Sequence, residues 1–280
     1  MNRLLTSIIL LAGLGGLAVP GQAAIFTLAD ANSTATVDAT GGAGMYEWKV
    51  DGVDHLAMQW FWYRIGDSGP ESSVSALPFT GGGLTDTNFD GSAETLFLRY
   101  ASSQVRIELT FLLTGGAAGS GTSDIAEVIG ITNTSGAPLS MHFFQYVDIN
   151  LNASSVNDSL QVVNGNTAIQ TLGGNRVAET VVTPRPSLCQ ADLTAAVLDS
   201  LNDAAATTLS GATGPVGPGD LAWAYQWDVV IPKGGTYFIS KDKQLIPEPA
   251  SLGLLLTGAA TLLIRRRRRS SGACDRAQAA

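Results

Sequence analysis

The chain has 280 residues, of which 45% are hydrophobic and only 14% charged, so it carries enough apolar sequence to bury a sizeable core. Between Ala24 and Pro249 nine basic residues stand against twenty-three acidic ones, a net charge of −14 that the whole-chain value of −8 understates. That surface excludes nucleic acid and anionic lipid as natural partners, because both carry phosphate, and it suits solubility and divalent cations.

The first 24 residues read as a secretory signal peptide. Arg3 is the positive start, Leu4 to Val19 the apolar stretch, and Gly21-Gln22-Ala23 a small-x-small site for signal peptidase. Residues 25–246 then form a single exported domain, since too little sequence follows residue 219 for a second core.

That region reads as strands joined by turns. From Gln104 to Leu113 the apolar residues Val105, Ile107, Leu109, Phe111 and Leu113 alternate with Arg106, Glu108 and Thr110, placing one face on a core. Further strands are predicted at His55–Arg64, Thr95–Tyr100, Ile125–Thr132, Leu139–Asn150, Thr167–Leu172, Arg176–Thr183, Trp223–Ile231 and Thr236–Ser240. Glycine pairs and triplets at residues 41–42, 81–83, 115–116, 173–174 and 234–235 mark breaks. The spacing predicts an all-β fold, an antiparallel β-sandwich. One helix is expected at Asp192–Leu201, with Asp192 as N-cap, followed by a long exposed loop from Ala204 to Gly219.

Two constellations could carry function. Trp60 and Trp62 share one face of their strand, and Trp223, Tyr225 and Trp227 share a face of another. Exposed, such rings would stack on sugars, with Gln59, Gln226 and Asp228 to meet hydroxyls; buried, they are core. Asp86, Asn88 and Asp90, followed by Gly91 and Glu94, match the first half of a calcium loop, giving weak calcium as the only cofactor expected. Position twelve is Phe97 where a bidentate glutamate would sit, and an Asx-type turn between strands accounts for the same residues.

Catalytic signatures are missing: the sequence has no Gly-x-Ser-x-Gly elbow, His-Glu-x-x-His or phosphate-cradling loop, and a non-enzymatic protein is expected. Cys189 is a lone thiol, because Cys274 lies beyond the tail arginines. Its alternatives are a buried structural cysteine or a pair with His55 or His142.

The tail is the most specific segment. Pro247-Glu248-Pro249 precedes an apolar run, Ala250 to Ile264, that ends on Arg265, Arg266, Arg267, Arg268 and Arg269. Fifteen apolar residues span about 22 Å as a helix against a hydrocarbon core of about 30 Å, a shortfall that arginine snorkelling can cover. The arginines would stay cytoplasmic. Residues 247–269 resemble the PEP-CTERM sorting tail of Gram-negative bacteria, and residues 270–280 form a short polar extension.

The resemblance implies a transmembrane intermediate in the inner membrane, processing by an exosortase, and release to the cell surface or extracellular matrix. Segments 59–64, 133–135, 144–148, 224–228 and 239–243 also resemble a recurring ectodomain among PEP-CTERM proteins, with no activity attached. The expected function is an exopolysaccharide-associated component of a biofilm matrix. The competing expectation is a carbohydrate-binding or carbohydrate-processing module built on Trp60, Trp62, Trp223 and Trp227.

Overall fold

The computed structural model describes residues 24–247. The signal-like start, Glu248, Pro249, the apolar run and the arginine block lie outside the described residues.

In chain order the strands begin with β1 (Ile25–Asp30), β2 (Ser33–Asp38), β3 (Gly44–Val50), β4 (Val53–Asp54), β5 (Leu56–Ile65) and β6 (Ser72–Ser73). They continue with β7 (Phe79–Thr85), β8 (Thr95–Ala101), β9 (Val105–Gly115), β10 (Ser123–Asn133), β11 (Leu139–Ile149) and β12 (Asp158–Val163). The last are β13 (Thr167–Leu172), β14 (Asn175–Thr183), β15 (Leu188–Leu193), β16 (Val216–Gly219), β17 (Leu221–Ile231) and β18 (Thr236–Pro247), with helix α1 (Thr194–Asn202) between β15 and β16.

Two nine-stranded sheets form. The first runs β1-β2-β3-β5-β11-β17-β15, with β4 paired to β3 and β6 to β5; the second runs β16-β12-β13-β14-β18-β10-β9-β8-β7. Pairing is antiparallel except for a short parallel contact between β3 and β5. The described residues therefore form an all-β, two-sheet sandwich with one short α-helix.

Alternation drives the burial. In β9 Val105, Ile107, Leu109, Phe111 and Leu113 are all buried, and Phe111 meets Phe61 of the other sheet at 6.4 Å between ring centroids. Each apolar side chain so buried contributes about 1.5–3 kcal/mol. Strand β18 extends past the predicted Ser240 to Pro247, because Lys241, Lys243 and Leu245 continue the inward row. Pro247, the first residue of the Pro-Glu-Pro sequence, is thus paired with Asn175 in the sheet.

Several segments read otherwise in the sequence. The glycine triplet 81–83 is no break but part of the edge strand β7, where Gly82 packs so closely that a Cβ there would meet the Leu98 side chain at 2.8 Å. Helix α1 begins two residues after Asp192; Leu193 takes the cap position, and Asp192 accepts the Leu193 N–H and the Gln190 side-chain amide but no N–H of the helix. The stretch expected to be an exposed loop is mostly exposed up to Pro215 and ends in β16, but it is fastened at several points. Leu209 is buried with its N–H on Gln226 Oε1, the Thr207 N–H reaches Glu71 Oε1, and the Ala212 carbonyl accepts the Ala191 N–H.

Candidate functional site

The four tryptophans expected to decide between core and sugar platform are all buried. Trp60 packs on Tyr100 and Phe61 and donates from Nε1 to Ser73 Oγ at 3.0 Å. Trp62 sits edge-on to Tyr146 and donates to Asn202 Oδ1, at the end of α1, at 3.1 Å. Trp223 donates to Glu179 Oε2 at 2.6 Å and Trp227 to the Pro184 carbonyl at 3.0 Å. No ring face is left for a sugar, so the platform expectation is corrected: covering elements and paired indole N–H groups place all four in the interior.

The Asp86, Asn88, Asp90 loop is likewise occupied by itself. Asp86 accepts the N–H groups of Phe89 (2.6 Å) and Gly91 (2.9 Å), Asn88 that of Asp90 (2.9 Å), and Asp90 that of Ser92 (2.8 Å). Glu94 does not turn outward to complete a ligand set: it is buried, accepting the Thr87 and Asn88 N–H groups, and the Thr87 hydroxyl holds it below the usual carboxylate range. Among the described residues no group of three or more His, Cys, Asp or Glu side chains is placed to hold a metal ion. The turn chemistry accounts for this loop.

Cys189 is buried, and burial raises its thiol above the ordinary value. Both histidines are otherwise engaged. His142 Nδ1 lies 2.6 Å from Asp228 Oδ1, and His55 Nδ1 accepts the Asn152 N–H at 3.2 Å.

The largest concentration of buried charge was not singled out in the sequence. Strand β18 turns Lys241 and Lys243 inward, β10 adds Glu127 and β14 adds Glu179, and all four side chains are essentially without solvent contact. Lys241 Nζ binds Glu127 Oε2 at 2.6 Å and Glu179 Oε1 at 2.9 Å. From the other sheet, Gln59 Nε2 donates to both oxygens of Glu127 at 2.7 and 2.8 Å, and Gln145 Nε2 to Glu179 Oε1 at 2.8 Å. Burial alone would raise the Glu179 carboxyl, but the Lys241 and Lys243 charges outweigh it and hold it near 2. Inward lysine and glutamate at alternate strand positions are the only sequence signal for this cluster, and amphipathic surface strands share that pattern.

A second acidic group lies where β11, β12 and the turn before β17 meet. Burial first, then the Asp220 charge, pushes Asp148 up to about 7, and burial pushes Asp158 up to about 6. One oxygen of each, Asp148 Oδ1 and Asp158 Oδ1, is buried without a hydrogen-bond partner.

The outer face of the second sheet is open. Phe238 of β18 is 62% exposed, and its ring lies on the backbone of Gly130, where a Cβ would come within 3.2 Å of it. Strand register carries the row onward from Gly130 to Glu108 and then Arg99, whose Nε donates to Glu108 Oε1 at 2.8 Å. Arg106 Nε stands 3.4 Å from Glu108 Oε2, and the Thr132 and Thr236 hydroxyls, 2.9 Å apart, lie alongside. Sequence reading placed Phe238 inside the predicted strand Thr236–Ser240 but did not single it out, because only tryptophan-rich rows were weighed.

No protein-family model and no curated protein matches the chain. Among solved structures it is similar to a bacterial glucoamylase complexed with acarbose, at 11% identity and a TM-score of 0.53, over 83% of this chain and 35% of that one. A candidate aldose 1-epimerase from Klebsiella pneumoniae subsp. pneumoniae superposes at 7% identity and a TM-score of 0.49 over 85% of this chain and 83% of that one. A galactose mutarotase-like protein from Lactobacillus casei follows at 10% identity and 0.41, over 79% and 99%. The chain spans about a third of the glucoamylase's length, and what they share is the sandwich fold.

Proposed function

We propose that the chain is an exported, non-enzymatic surface or extracellular-matrix protein that is sorted by an exosortase and associates with exopolysaccharide. The sorting part rests on residues 1–24 and on the Pro247-Glu248-Pro249, apolar and Arg265–Arg269 order of the tail, which resembles a PEP-CTERM signal. Carbohydrate as the partner class is favoured by the fold likeness to a glucoamylase complexed with acarbose.

The observation that carries carbohydrate contact to a place is the Phe238 row. An exposed aromatic ring packed beside Gly130, where a side chain would crowd it, offers apolar surface to a pyranose, while Glu108, Arg99 and Arg106 offer acceptors and donors to its hydroxyls. In this reading the Phe238 row, and not the buried tryptophans, is the contact surface, and the role is polysaccharide binding. The test is retention of the purified protein on acidic and neutral polysaccharide resins and a glycan array. Phe238→Ala should lose retention while its melting temperature stays within the scatter of the wild type; equal retention by the two proteins rejects this face.

A further inference from the structure

The four charges between the sheets are not equivalent. Lys241 has a glutamate oxygen at 2.6 Å and another at 2.9 Å, whereas the Lys243 amine has no hydrogen-bond partner and stands 3.6 Å from Glu127 Oε1 and 3.8 Å from Glu179 Oε1. Lys243 faces Glu179 across β14 and lies diagonal to Glu127 on β10, and all point into the interior. We propose that the Lys243 amine condenses with the Glu127 side-chain carboxyl to give an intramolecular isopeptide bond that clips β18 to β10.

The surroundings fit each part of that step. Burial lowers the Lys243 pKa and the Lys241 charge acts the same way, against the two carboxylates, so passing one proton from the Lys243 ammonium to Glu127 yields a neutral amine beside a neutral carboxyl. The amine lone pair adds to Glu127 Cδ, forming the C–N bond, and the carbonyl π pair moves onto oxygen. Gln59 Nε2 and the Lys241 ammonium already donate to the Glu127 oxygens and stabilise that oxyanion.

Glu179 lies near enough to the Lys243 nitrogen to accept its proton and return it to the departing hydroxyl. The C–O bond breaks and water leaves: one amine and one carboxylic acid become one amide and one water, with no oxidant, cofactor or activating group. Holding both partners in one geometry supplies the effective concentration that free amines and carboxylates lack.

The product is also electrostatically simpler. Lys241 and Glu179 remain as one ion pair at 2.9 Å, so two of the four buried charges disappear together with their desolvation cost. Because Cys189 is a free thiol, such a bond would fasten strands that no disulfide among the described residues can.

The experiment is peptide mapping by tandem mass spectrometry of the full-length chain, one portion kept in denaturant and one refolded. The refolded protein should contain a branched peptide joining the Glu127 and Lys243 segments, one water lighter than the two together, and trypsin should no longer cut after Lys243. The portion kept in denaturant should give linear peptides, as should refolded Lys243→Arg, whose guanidinium is not a nucleophile. Linear wild-type peptides from protein shown to be folded by its melting transition overturn the proposal. A branch placed on Glu179 in place of Glu127 overturns the assigned electrophile. The wild-type mass carries the result even where the arginine variant does not fold.

Discussion

Asp148→Asn should change the pH dependence of stability in a direction set by the burial of its carboxyl. The folded protein raises Asp148 from its ordinary 3.8 to about 7, through burial first and then the Asp220 charge, with the Tyr146 hydroxyl acting against. The folded state therefore holds this proton more tightly than the unfolded chain. Its stabilising contribution is fully present below about pH 4 and is lost as pH rises through about 7.

At about 1.4 kcal/mol per pKa unit, the loss between pH 5 and pH 8 is about 2–3 kcal/mol, or roughly 5–10 °C in Tm for a domain of this size. Asparagine keeps the shape of the protonated acid and cannot ionise. Asp158 and Asp124, raised to about 6 and about 7, slope the same way but are common to both proteins and cancel in the comparison. Thermal melts by circular dichroism from pH 5 to pH 8 should then show Asp148→Asn close to the wild type at pH 5 and more stable than it at pH 8. Parallel Tm curves across that range would falsify the argument.

Trp62→Ala removes an indole packed on Tyr146 and bonded to Asn202, and should cost about 3–5 kcal/mol in urea denaturation; a cost below about 1 kcal/mol would mean the ring is not core. Asp90→Ala should lose a few degrees of Tm through its broken turn bonds, yet show the same small calcium response as the wild type, because the loop oxygens already accept its own N–H groups; a calcium-dependent Tm shift confined to the wild type would restore the loop as a site. Native exported protein should lack residues 1 to about 24 and the tail after Pro249, the endpoints set by the signal-peptide pattern and the Pro-Glu-Pro signature. Intact-mass measurement checks this, and Arg265–Arg269 retained on protein released from cells contradicts the sorting reading.

Strands with strict alternation were legible from the residues alone. Val105 to Leu113 carries its own period, and the burial of one face is the only way such a segment can satisfy both water and core, so β9 appeared within two residues of its place. The small-residue strands did not announce themselves. β2 (Ser33–Asp38) and β7, with three glycines, have little apolar payload and exist because a neighbouring strand supplies the hydrogen bonds.

The expectations for the two termini rest on local order along the chain and draw on no fold. Which aromatic is exposed needed the fold: the end of α1 packs over Trp62, whereas Phe238 stands on the outward face of β18 beside Thr236 and Ser240, with open solvent above Gly130. The charge cluster is the clearest case. Glu127, Glu179, Lys241 and Lys243 are spread over 117 positions of sequence and carry ordinary surface-strand chemistry, and it is the pairing of β10, β18 and β14 beneath the other sheet that removes their water and joins them.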